Sequence, residues 1–134
     1  MDIVLLVGRI LFALLFVFSA IGHLTQTGYM AGYAQSKGLP FPKLNVLASG
    51  VLFGLAGLAI VLGVYGDLAG VALAVVLVPT AIIFHNFWKE TDPQAKAMTQ
   101  ISFNKDIALA GAALALAFAF AQNPGLTLTN GLFA

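Results

Sequence analysis

The residues best suited to chemistry sit at one end of the longest uncharged run in the chain. Positions 84–90 read Phe84-His85-Asn86-Phe87-Trp88-Lys89-Glu90, and no charge occurs in the seventeen residues from Leu68 to Phe84. His85 is one of two histidines; the other, His23, closes the first apolar run. A neutral imidazole donates at one ring nitrogen and accepts at the other, and it takes up a proton near neutral pH. Asn86 adds an amide and Trp88 an aromatic wall. On a continuous helix His85 and Trp88, three apart, share a side, while Asn86 lies on the adjacent side with Lys89 and Glu90. A flat ring with two carbonyl oxygens needs an apolar slot, aromatic walls and a few placed polar groups. The expectation is therefore a ligand pocket lined by His23, His85, Asn86 and Trp88, holding a quinone head group or another lipid. Three readings compete with it. Each histidine can be an interfacial residue satisfied by water or a carbonyl. The chain can be a scaffold with no reaction of its own. Haem b can use His23 and His85 as axial ligands, the least favoured of these. Only Glu90 and Asp92 lie near in sequence to complete a metal site, so none is assigned.

Composition sets the solvent for these groups. Of 134 residues, 60% are hydrophobic and 8% charged, with a mean hydropathy of +0.99. Soluble domains carry about 25% charged residues. A net charge of +1 gives no basic patch and argues against nucleic acid as a partner. The absence of cysteine removes disulfides, thiolate catalysis and iron–sulfur ligation. No Ser-His-Asp or phosphate-cradling pattern appears, which argues against hydrolase and nucleotide functions.

The elements that position the histidines read as an all-α transmembrane four-helix bundle, up-down-up-down, forming one membrane domain over 1–134. Four apolar runs, at about 3–22, 44–64, 67–88 and 104–122, are long enough to cross a hydrocarbon core of roughly 30 Å at about 1.5 Å per residue. The first lacks the basic flank and cleavage site of a signal peptide and is read as a retained helix. The segment 25–37 breaks the membrane pattern. Tyr29, Met30, Tyr33 and Ala34 at helical spacing predict a short interfacial helix, stopped by Lys37-Gly38 and Pro40. Gly50, Gly54 and Gly57 give the second span a small face suited to close packing, more simply within the chain than between copies. The turn at 63–67 makes spans two and three a hairpin, and Pro79 predicts a bend in span three. Thr91-Asp92-Pro93 fits a helix start, with Asp92 as cap.

Arg9 is the one charge within the first span, about 9 Å inside its start, and needs a partner at that depth. Asp67 is the nearest acidic candidate on that side apart from Asp2, so an Arg9–Asp67 ion pair is expected. Lys37, Lys43, Lys89, Lys96 and Lys105 all fall in or beside loops one and three. The positive-inside rule places those loops in the cytoplasm and both termini outside.

Several stretches together resemble the DoxX family of small bacterial four-helix membrane proteins. Arg9, Phe16 and Gly22-His23-Leu24 look like its first-helix pattern, and Gly38-Leu39-Pro40 like its connector. Gly54 to Gly63 resembles its glycine-bearing second helix. Phe84-His85-Asn86-Phe87-Trp88 and Phe103-Asn104-Lys105-Asp106-Ile107-Ala108-Leu109 resemble the end of helix three and the start of helix four. Two departures stand out. Many members carry a carboxylate in helix two, where this chain has none between Val51 and Gly57 and Phe53 falls about at that position. Many have Asn where this chain has Asp106. The resemblance implies a multi-pass protein of the bacterial inner (plasma) membrane, in contact with lipid and associated with other membrane subunits or with itself. It further implies either the quinone-facing subunit of an oxidoreductase complex or a non-catalytic accessory subunit. It assigns no catalytic residue.

Overall fold

The computed structural model describes residues 1–133. The long helices are α1 (Asp2–Thr25), α3 (Pro42–Leu62), α4 (Gly66–Phe84) and α5 (Pro93–Ala121). A short helix α2 (Thr27–Ser36) follows α1, and a single 3₁₀ turn (Phe87–Lys89) follows α4. Each long helix is apolar and long enough to cross a membrane. Each buries only one face and presents apolar side chains such as Leu11, Phe18, Leu55, Val75 and Phe118 outward. Water would not tolerate that surface, but lipid does. The protein is an integral, multi-pass membrane protein built as an all-helical bundle.

Helix boundaries arise from local chemistry. Proline opens both α3 and α5, where its missing N–H costs nothing. Asp92 caps α5, its Oδ2 accepting from the Ala95 N–H at 2.9 Å. From that cap the helix runs unbroken to Ala121. The charged stretch after Pro93 and the apolar run beyond Phe103 are therefore one helix of 29 residues.

The closest pairings are α1 with α3 and α4 with α5; α3 and α4, although joined by a tight turn, touch less. The glycine face of α3 is used within the chain. A Cβ on Gly50 would lie 2.6 Å from His23 Cβ, and one on Gly57 would lie 3.1 Å from Val17. Phe16, Phe53, Ile60, Leu73 and Phe120 form the core between the two pairs.

At the end holding the chain termini, two buried charges are satisfied separately. Among the described residues no ion pair joins Arg9 to Asp67, contrary to the sequence expectation. The reason is that helix ends offer each charge a nearer partner. Arg9 donates from Nε to the Ile60 carbonyl at 2.8 Å and from Nη2 to the Val61 carbonyl at 2.5 Å, both in the last turn of α3. Its Nη1 reaches the Leu126 carbonyl at 2.9 Å, and its guanidinium lies 5.2 Å from the centre of the Phe120 ring. Asp67 sits in the first turn of α4 and accepts from the N–H groups of Leu68 at 2.9 Å and Phe133 at 2.6 Å. The segment after α5 completes this end. Leu128 and Thr129 donate to the carbonyls of Leu62 and Gly63 at 3.2 and 3.1 Å. Every carbonyl from Ala59 to Gly63 therefore has a donor.

Candidate ligand-binding site

At the opposite end residues of both helix pairs line a cavity of about 710 Å³. This is within the range of small-molecule sites. Phe16, Phe53, Tyr33 and Phe84 contribute aromatic wall, and α2 lies along one side. Leu15, Val75 and Ile83 belong both to its rim and to the outward-facing surface of the bundle. The cavity is therefore reachable from the lipid side, the route an apolar ligand takes.

His23 and His85 both line this cavity, while Asn86 and Trp88 do not. The sequence expectation assumed a helix continuing through Trp88. Instead α4 ends at Phe84, His85 leaves helical geometry at φ −118° and ψ 41°, and the 3₁₀ turn redirects the chain toward α5. Trp88 turns to pack edge-on against Phe87 and Phe103, at 5.3 and 5.8 Å between ring centres. Asn86 accepts from Lys37 Nζ at 2.9 Å, joining loop one to loop three.

Asp106 takes the place those residues leave. Its side chain is buried on α5, with Oδ2 3.3 Å from His85 Nε2 and Oδ1 3.8 Å from Lys105 Nζ. No carboxylate occurs in the matching stretch of α3, where Phe53 instead presents its ring to the His23 imidazole, edge to face at 5.4 Å. The signal for Asp106 is present in the sequence, since an acidic residue at the head of an apolar span needs a partner. What one dimension does not give is which histidine it meets.

His23 Nδ1 lies 2.7 Å from the Ser19 carbonyl, one turn back on α1. On α2, Tyr33 stacks on Phe84 at 5.8 Å and donates its hydroxyl to the Phe84 carbonyl at 3.0 Å. Burial, then the negative charge of Glu90 and then Tyr29, hold the Tyr33 phenol above its usual ionisation range. It is a neutral donor under ordinary conditions. In the middle of the α4 wall Pro79 is followed by Thr80, whose hydroxyl donates to the Val76 carbonyl at 2.7 Å.

Chemically the site is an apolar, aromatic-walled slot with two imidazoles and one buried carboxylate. Comparison with known proteins agrees with this architecture. The DoxX family model matches residues 4–86, from α1 to the turn that carries His85. The Escherichia coli (strain K12) inner membrane protein YphA is 30% identical over 115 residues, which cover 86% of this chain and 81% of that protein. No solved structure matches the chain. With the family match spanning α1 to α4 and the relative aligning along most of both sequences, this chain belongs to the DoxX family.

Proposed function

We propose that this protein is the quinone-facing subunit of a membrane oxidoreductase complex and that its cavity holds the quinone head group. One observation carries the reading: a cavity of quinone size, with a lipid-side rim, has His23, His85 and Asp106 among its ionisable groups on aromatic walls. An isoprenoid tail leaves along the Leu15, Val75 and Ile83 surface while the ring rests among Phe16, Phe53 and Phe84. His85, with Asp106 behind it, is the group placed to exchange a proton with a ring oxygen. The electrons come from or go to a partner protein, because this cysteine-free chain supplies no thiol couple. The membrane is the bacterial inner membrane, by analogy with the name of the E. coli relative. Loops one and three face the cytoplasm, by their lysines.

The test is to purify the protein in mild detergent, extract its lipids and quantify quinone per folded chain, for wild type and for His85→Leu. Quinone in the wild type, lost in the variant at unchanged folded yield, supports the reading. A wild type without quinone, purified with other membrane proteins, makes the chain an accessory subunit instead.

A further inference from the structure

The protons around the cavity are unevenly distributed. A hydroxyl has one proton, and three of the five hydroxyls on the cavity wall, all but those of Ser19 and Tyr29, are committed to the backbone. Ser49 donates to the Asn45 carbonyl at 2.8 Å, Thr80 to Val76 at 2.7 Å and Tyr33 to Phe84 at 3.0 Å. Each leaves only lone pairs for a ligand.

The histidines share the same pattern. A carbonyl can only accept, so the 2.7 Å contact with Ser19 fixes the His23 proton on Nδ1. In the neutral ring Nε2 is then a bare acceptor. At His85 the Asp106 carboxylate, 3.3 Å from Nε2, favours the tautomer with the proton there, which leaves Nδ1 as the acceptor. Among the described residues neither of these two nitrogens has a hydrogen-bond partner, and neither is an unpaired buried atom, so both stay accessible. The wall's one cationic donor, Lys105, is half exposed and turned toward Asp106.

Two bare imidazole nitrogens pair poorly with a ligand that brings only carbonyl oxygens. We infer that the cavity selects the reduced, dihydroxy form of its ligand, a hydroquinone, whose hydroxyls donate to His23 Nε2 and His85 Nδ1. The inference rests on the proposed quinone site and concerns binding alone; no electron moves in it. An acceptor left facing another acceptor is the kind of mismatch that binding sites reject strongly.

The experiment places the full chain in phosphatidylcholine nanodiscs, whose headgroups bring no N–H donors. Binding of a short-chain ubiquinol and of the matching ubiquinone is then measured anaerobically. The expected result is about tenfold tighter binding of the quinol, equivalent to a rise of about 30 mV in the midpoint potential of the bound two-electron couple. Asp106→Asn has the same shape, but its amide can donate to His85 Nε2 and free the opposite tautomer; it should cut that preference at least threefold. His85→Leu, checked for folded yield by gel filtration, should cut it as well. Quinone binding as tightly as quinol, or an Asp106→Asn preference equal to wild type, overturns the inference and leaves the quinone site standing. Binding of neither form overturns both.

Discussion

Arg9 Nε donates to the Ile60 carbonyl at 2.8 Å, so a side chain from α1 closes the open end of α3. The same guanidinium takes the Val61 and Leu126 carbonyls, and Arg9 is fully buried. Replacement by Met preserves much of the aliphatic volume and leaves three carbonyls without donors. At ~1–3 kcal/mol for each unsatisfied group, Arg9→Met is expected to lose about 3 kcal/mol or more. Arg9→Lys, which keeps the charge but not the planar fork, recovers only part of it. Unfolding in mixed detergent checks this, and a wild-type midpoint for Arg9→Met would contradict the assignment.

At Gly70 the α4 backbone lies directly against the backbone of α5. A Cβ there would lie 2.5 Å from the Ala113 carbonyl oxygen, which is backbone and cannot rotate away. Gly70→Ala is expected to push the helices apart and cost ~1–3 kcal/mol. Gly111, on the same helix pair, has nothing within 4 Å of its Cβ position among the described residues. Gly111→Ala should be neutral or stabilising by up to ~1 kcal/mol, since alanine is the better helix former. Thermal midpoints of the two variants, side by side, distinguish close packing from a general effect of adding a methyl group.

Tyr33 ties α2 to the end of α4 through its hydroxyl and ring. Burial, Glu90 and Tyr29 raise its ionisation above the ordinary tyrosine range. A folded pKa above the unfolded one gives stability that is complete below about pH 10 and is lost as pH rises through the folded value. An ultraviolet titration of wild type minus Tyr33→Phe should show the Tyr33 phenol ionising above the ordinary tyrosine range. The variant should also exchange cavity ligand faster, because α2 loses one of its bonds to α4. Equal exchange rates would show that α2 does not control access.

Orientation is the fourth prediction. Lys37 meets Asn86 at 2.9 Å, so loops one and three, with their lysines, share one end of the bundle. A reporter active only outside the cytoplasm should work when fused after Ala134 and fail when inserted near Lys96. The reverse pattern places both termini inside.

The sequence by itself determined the solvent, the helices and the end at which the polar groups gather. Uncharged runs too apolar for water must enter lipid, and a backbone in lipid must satisfy itself as helix. Two histidines an even number of crossings apart must then share a face. Only the tertiary structure decided which groups meet there. The unwinding after Phe84 turns a side chain by large angles over one or two residues, and it moved Trp88 from the pocket to Phe103 while leaving His85 in place. Asp106 became the partner of His85 because α4 and α5 pack closely, a pairing no local pattern announces. Arg9 illustrates the same limit. Its need for a partner is set by one charge in an apolar span, but whether an Asp or a helix end fills that need depends on which lies within reach of five donors in three dimensions.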